Sequence, residues 1–529
     1  MPSPKHICML AAENDVIPGG KVGGIGDVVR DIPKALSKLG VRVSVVIPAY
    51  ALFHQLPGSI FVGTVTTEFR GRTERIELYE LFANRDDGVQ YYVIHHPLFG
   101  AGGPGKVYCD DDSNQPFATD ANKFALFSVA SLSIIRSGLL DTIDVLHLHD
   151  WHSALAAALL KFDPAFQSLR SVHCVYSIHN LALQGIRPFS ESTSSLEAWF
   201  PHLHYNKTQL SDPRWTHCVN PMATAIRLAD KVHTVSPTYA EEIIRPNDAS
   251  KGFHGGEGLD KDLQFRAEQG RLLGIINGID YSASEYSSSK NSSQRNTKSW
   301  KNFLSQASDE MLRIIGNQNI LKNSDYLVHQ RLARWQLQPM PAHVITSVGR
   351  LTDQKMALLL QPMDDGNIPL ESLLELLKNR GLLLVLGTGD TDLEITCKKL
   401  AANHPHFLFF NQYSQHLSDL LFSNGDLFLM PSSFEPCGIS QMLAMRAGQP
   451  CLAHEVGGLK DTIKDNETGY LFSGDSLSNQ STAMIERFKK VLLQREKQPA
   501  GYRKISVSAS KERFHWQNSA EQYMTELYS

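Results

Sequence analysis

Asp426-Leu427-Phe428-Leu429-Met430, then Pro431-Ser432-Ser433, then Phe434-Glu435-Pro436-Cys437-Gly438-Ile439-Ser440-Gln441, reads as a short apolar strand, a turn and the opening of a helix. A strand that feeds a helix in this way is the repeating unit of a parallel α/β sheet. The turn carries chemistry as well. The backbone N–H groups of Gly438, Ile439 and Ser440 would point at an anion, with Glu435 placed to accept hydrogen bonds from sugar hydroxyls beside it. A Glu in this position also arises as a plain helix cap, because acidic side chains complement the helix dipole.

A second loop of the same kind, Gly19-Gly20-Lys21-Val22-Gly23-Gly24-Ile25-Gly26-Asp27, lies near the other end of the chain. It follows the apolar run Ile7–Leu10 and precedes a helix-like stretch beginning at Val28. Its glycines permit close backbone approach to a ligand and Lys21 supplies a cation. Gly-Lys is not followed by Ser or Thr, so this is no Walker loop, and the spacing is wrong for a dinucleotide fingerprint.

Outward from these two loops the chain alternates. Strands are expected at Ile7–Leu10, Val41–Ile47, Tyr91–His95, Val145–His147, Val172–Ile178 and Lys231–Thr234. They resume at Val344–Val348, Leu382–Leu386, Phe407–Phe410, Leu427–Met430 and Pro450–Ala453, with helices at Leu370–Lys378 and Leu393–Ala402. The pattern predicts two α/β domains, each a parallel sheet covered on both faces. The expected divisions are 1–280, a Ser/Asn-rich insertion or linker over 281–325, a second domain over 326–505, and a C-terminal helix over 506–529. The stretch from Tyr281 to Trp300 has too little apolar content for a core and reads as an exposed loop. In open parallel sheets ligands bind beyond the carboxyl ends of the strands. Lys21, Asp150, His179, Arg350, Asp390 and Glu435 all fall just after expected strands, which predicts a small-molecule cleft where two such edges face each other.

Composition narrows the function classes. The 529 residues are 42% hydrophobic and 20% charged with a formal net charge of −4, which disfavours a broad nucleic-acid footprint. Seven cysteines are scattered without CxxC spacing, which points to a reducing cytoplasm and no structural zinc. No apolar stretch is long enough to span a bilayer and no signal-peptide core opens the chain, so a cytoplasmic protein without a membrane partner is expected. The cluster His147-Leu148-His149-Asp150-Trp151-His152 has some metal-ligand character, with His147 and His149 on one strand face, but no metal site is assigned to it.

The motifs Lys21–Asp27, His147–His152, His179-Asn180-Leu181-Ala182-Leu183-Gln184-Gly185, Thr234–Ala240, Asn277-Gly278-Ile279-Asp280, Arg350-Leu351-Thr352-Asp353-Gln354-Lys355 and the Glu435 segment occur in one order. Together they resemble bacterial glycogen synthases and plant starch synthases, from about residue 6 to the C-terminal helix. The resemblance implies a retaining glucosyltransferase with two facing Rossmann-like domains (GT-B type), an interdomain active site and a final helix packing back on the first domain. It implies ADP-glucose as donor and an α-1,4-glucan as acceptor, with no cofactor and no metal. Oligomeric state is left open.

By that resemblance Glu435, Asp150, His179, Lys355 and Arg350 form the catalytic set. Lys21, Gly23, Gly24, Asp27, Asn220, Asp390, Tyr413, Cys437, Gly438, Ile439 and Ser440 line the donor. Arg350 and Lys355 suit a diphosphate, one as a planar fork and one as a point charge. Tyr413 aligns with a tyrosine that stacks on the base. Related sucrose synthases and cell-envelope transferases carry a second Glu eight positions after the first, where this chain has Leu443. Departures from the family pattern lie mostly on the acceptor side: a longer loop between Glu13 and Lys21, Ala223 in place of a lysine, Met356 in place of a glycine and Ser433 in place of an arginine. These leave room for another sugar or a small acceptor. A catalytically silent glucan-binding protein is the alternative of a different class.

Overall fold

The computed structural model describes residues 5–83, 85–113, 115–281, 296–318 and 322–529. The chain forms two compact units. The first comprises Met1–Asn247, Gly255–Asp280 and His515–Ser529, and the second Asp248–His254 and Tyr281–Phe514.

The first unit is built on a nine-stranded sheet. Seven strands run parallel, in the spatial order Leu272–Gly274, Lys231–Thr234, His173–Ile178, Val145–His149, His6–Leu10, Arg42–Pro48, Val89–His95. The near-continuous burial of His6–Leu10 and Val145–His149 is what a strand covered on both faces requires. An antiparallel pair, Ile60–Phe69 and Arg72–Leu81, extends the edge beyond Val89–His95. This pair is a correction to the all-parallel expectation: its Thr-, Glu- and Arg-rich alternation belongs to strands with one solvated face, not to buried runs.

The second unit has six parallel strands in the order Phe407–Phe410, Gly381–Leu386, His343–Val348, Leu427–Met430, Cys451–His454, Gly469–Phe472. Counted along the chain this is the 3-2-1-4-5-6 order of doubly wound nucleotide-binding sheets. The parallel part of the first sheet winds the same way, outward from His6–Leu10 and Val145–His149. Each sheet therefore has one switch point, where consecutive connections leave in opposite directions and a crevice opens above the strand ends.

Part of the stretch expected as an insertion over 281–325 is structural. Thr297–Gly316 is a helix, and Trp300, Phe303, Leu304, Ala307 and Met311 form a stripe buried against Val344, Leu382, Leu384 and Leu408 of the second sheet. Asn323–Gln336 packs in the same layer through Val328 and Leu332. Polar composition up to residue 299 concealed a stripe that begins at Trp300; residues 282–295 lie outside the described residues. At the C-terminus, Pro499–Lys511 is a helix of the second unit, whereas Trp516, Ala520, Tyr523, Leu527 and Tyr528 are buried in the core of the first. The change of unit thus falls after Phe514, beyond the expected 505. Among the described residues no helix is long and apolar enough to cross a membrane.

Candidate active site

The two Gly-rich loops and their partner residues lie at the two switch points. In the second unit the strand His343–Val348 runs into Gly349, Arg350 and the helix Asp353–Leu360, while its neighbour Leu427–Met430 runs into Ser432–Ser440. Lys355 Nζ forms an ion pair with Glu435 Oε2, and Ser432 Oγ donates to the same oxygen at 2.9 Å. Glu435 is buried and Lys355 partly exposed. Further bonds tie the two loops together: Gln354 Nε2 donates to the Phe434 carbonyl at 2.9 Å, and the Ser433 N–H to the Gln354 carbonyl at 2.8 Å. The Gly458 N–H holds the Glu435 carbonyl at 3.0 Å.

Gly438 has φ 76°, which favours glycine, and the turn is pinned by Gln441, whose Nε2 donates to the Cys437 and Gly438 carbonyls and to Thr462 Oγ1. The N–H groups of Gly438, Ile439 and Ser440 precede the first intrahelical bond, from Leu443 to Ile439. Arg350 is exposed and, among the described residues, its guanidinium has no ion-pair partner. The 387–390 loop presses against the backbone on either side of it: a Cβ on Gly387 would lie 2.0 Å from the Gly349 carbonyl oxygen and one on Gly389 2.1 Å from that of Leu351. Asp390 is a helix cap, accepting from the Asp392 and Leu393 N–H groups. Tyr413 is 76% exposed.

In the first unit the strand His6–Leu10 leads to a loop folded around a carboxylate that the sequence marked only as the start of a longer loop. Glu13 is buried and accepts from the Val22 and Gly23 N–H groups, the latter at 2.6 Å. A Cβ on Gly23 would approach Glu13 Oε1 to 3.0 Å, and one on Gly20 would approach the Asn14 carbonyl oxygen to 2.7 Å, so these glycines close the loop on itself. Gly24 opens the helix Gly24–Lys38, whose cap Gly23 contributes no side chain. Lys21 is not a free cation: Nζ lies 2.6 Å from Asp27 and 3.5 Å from Asp15. Asp27 in turn has its pKa raised by burial, against the pull of Lys21 and Arg30.

Beside this loop Val145–His149 ends at Asp150, which adopts φ 50° at the start of the helix Asp150–Phe162. Its Oδ1 accepts the His179 N–H at 2.7 Å, and burial pushes its pKa up to about 7 despite that bond. His179 Nε2 lies 2.9 Å from His149 Nδ1, and Trp151 packs where a Cβ on Gly185 would come within 2.4 Å of its ring.

Asn220, expected at the donor, serves the fold in this structure. It is fully buried, its Oδ1 caps the helix Pro221–Leu228, and its Nδ2 is spent on Gln184 and Asp212, both at 2.7 Å. The signal that could have found Glu13 and Ser432 is their position: each directly follows a strand that borders a switch point.

Two Rossmann-like sheets, each with a polar loop cluster at its switch point, are the architecture of glycosyltransferases of the GT-B type. Residues 6–265 match the starch synthase catalytic domain family and residues 330–504 the group 1 glycosyl transferases. The chain is 31% identical to a glycogen synthase of Streptococcus agalactiae over 98% of both chains, and 32% identical to one of Streptococcus equi subsp. equi over 99% of both. The catalytic domain of Arabidopsis thaliana starch synthase IV, solved with ADP and acarbose, superposes with a TM-score of 0.74 at 24% identity over 99% of both chains. The chain belongs to the glycogen synthase family.

Proposed function

We propose that the protein extends α-1,4-glucans, moving α-glucose from ADP-glucose to a nonreducing 4-hydroxyl with retention, in a reducing cytoplasm. The observation that carries this reading is the Lys355–Glu435 pair at the switch point of the second sheet, beside the exposed Arg350. Cleaving the bond between glucose and a diphosphate develops positive charge on the sugar and negative charge on the leaving group, and the site must meet both. Arg350 lies on the loop after one strand and Lys355 in the first turn of the helix that follows it, with the open N–H groups of Gly438, Ile439 and Ser440 after the neighbouring strand, a combination suited to a diphosphate. Glu435 answers the other charge.

In the unliganded protein Lys355 and Glu435 neutralise each other. An arriving diphosphate would draw Lys355 to itself and free Glu435 for the sugar hydroxyls, so the pair would be preserved as a charge balance while its contacts change. Asp150 and His179, at the switch point of the first sheet, would serve the sugar and acceptor. The diphosphate itself would take the acceptor proton on the same face from which it departs.

The test is release of nucleoside diphosphate from ADP-glucose or UDP-glucose, each with and without glycogen. Glycogen-dependent ADP release is expected, reduced about 10²–10³-fold in both Glu435→Ala and Lys355→Ala with thermal melting little changed. Near-normal rates in both variants would sink the assignment. Release of neither diphosphate by the native protein would turn the reading toward another sugar or a binding role.

A further inference from the structure

We propose that His149 is a positioning residue that fixes His179 as its Nδ1–H tautomer, leaving that N–H to face a ligand oxygen. His149 Nδ1 and His179 Nε2 are 2.9 Å apart with their rings stacked at 25°, so a single proton lies between the two nitrogens. Burial holds both imidazoles neutral, His179 with a pKa lowered to about 4.

The direction of the bond follows from the other nitrogen of His149. Its Nε2 is buried and meets no partner among the described residues. A neutral imidazole has one N–H. On Nε2 that N–H would be buried without an acceptor; on Nδ1 it finds His179. An unused lone pair is tolerated where an unused buried N–H is not. His149 therefore donates, His179 Nε2 accepts, and the proton of His179 is confined to Nδ1. His179 is only half-buried, and Nδ1 is the ring nitrogen left over for a ligand.

The residue is clamped twice, its backbone N–H by Asp150 and its ring by His149. His149 is itself held against rotation. Its ring stacks on His147 at 4.3 Å between centroids, and its backbone N–H is bonded to Ser153 Oγ at 2.8 Å.

The kinetic side of this inference rests on His179 serving the glucosyl transfer proposed above, whereas the tautomer is read on the unliganded protein. The full-length chain labelled with ¹⁵N-histidine gives long-range ¹H–¹⁵N correlations that distinguish the tautomers, the His179 signal being assigned by its loss in His179→Gln. A single Nδ1–H pattern is expected. His149→Leu should let Nε2–H appear and lower kcat about 10- to 100-fold, the scale seen when a group orienting a functional histidine is removed. His149→Asn, whose amide can donate from the place of Nδ1, should restore the Nδ1–H pattern and most of the rate. An Nε2–H pattern in the native protein, or an unchanged pattern in His149→Leu, would overturn the proposal. Absence of any transfer from ADP-glucose would instead count against the function while leaving the tautomer measurement decisive.

Discussion

Asp150 combines a left-handed backbone, a buried carboxylate and two backbone donors, the N–H groups of His179 and Asn180, and these pull its chemistry in different directions. Asp and Asn tolerate φ near +50° better than other non-glycine residues, so the conformation by itself is mildly costly. The charge is costlier. A folded pKa of about 7 against an ordinary 3.8 means that the folded protein binds the proton more tightly than the unfolded chain. The stabilisation this gives is fully present below pH 3.8 and is lost as pH rises to about 7. Asp150→Asn keeps the acceptor for the His179 N–H and the tolerance of the backbone, but removes the titration. Its stability relative to native should therefore grow between pH 4 and pH 7 by up to about 1.4 kcal/mol per unit and level off above. Urea midpoints of both proteins across that range check this; a difference independent of pH would show that the carboxylate ionises in the folded state as it does in the open chain.

Three elements converge on the main chain around Glu435, and the tightest backbone contact is made by Gly458 of the helix Gly457–Thr462. A Cβ on Gly458 would lie 2.3 Å from the Cys437 carbonyl oxygen and 2.4 Å from its Cα, both backbone atoms that cannot swing aside. Gly458→Ala should push the Glu435–Gly438 turn outward, break the Gly458–Glu435 bond and cost about 1–3 kcal/mol. Turnover should fall with it, because the same turn sets the Lys355–Glu435 contact. A variant with native melting and native rate would mean that this helix is free to slide.

Such dependencies are only partly written in the sequence. The parallel strands were legible because each is a short apolar run followed by a turn; Glu435, Arg350 and Asp150 stood out as candidates because they follow such runs, and Lys355 because it shares a motif with Arg350. The edge pair Ile60–Phe69 and Arg72–Leu81 was not, since its half-solvated alternation lacks an apolar run. Nor was the helix Thr297–Gly316, whose buried stripe is diluted by Lys, Ser and Asn. Asn220 and Asp390 look identical in sequence whether they bind a ligand or cap a helix, and only the hydrogen-bond accounting separates the two. Partners distant in sequence stayed hidden for the same reason: nothing local joins His147 to Tyr528.

Across the molecule, the first unit carries a buried histidine layer whose proton order can be followed from one end. The Ile275 carbonyl can only accept, so His233 Nε2 holds a proton and donates to it at 3.4 Å. His233 Nδ1 must then accept from Ser177, Ser177 from His147 Nε2, and His147 Nδ1 from the Tyr528 hydroxyl at 2.8 Å. This one-way chain ties the C-terminal segment to the sheet. Tyr528→Phe removes its first donor and should cost about 1–3 kcal/mol, visible as a lower melting temperature of the first unit.

The chain works only while every imidazole is neutral, and burial lowers the pKa of His147, His149, His152, His179 and His233 alike. Each has a folded pKa below the ordinary 6.5. Its stabilising effect is therefore present above pH 6.5 and is lost as pH falls toward about 4 for His179 and about 3 for His152 and His233. Asp150 and Asp27 act with the opposite sign over part of this range, but two carboxyls stand against five imidazoles. The second unit has fewer such groups, His343, His406 and His454. Acidification from pH 7 to pH 4.5 should thus loosen the first unit before the second. Hydrogen exchange of the full-length protein resolves the two: peptides from Val145–His149, His173–Ile178 and the C-terminal segment should lose protection first. Earlier loss in Leu427–Met430 or Gly381–Leu386 would mean that carboxylate pairs, and not the histidine layer, set the acid limit of the fold.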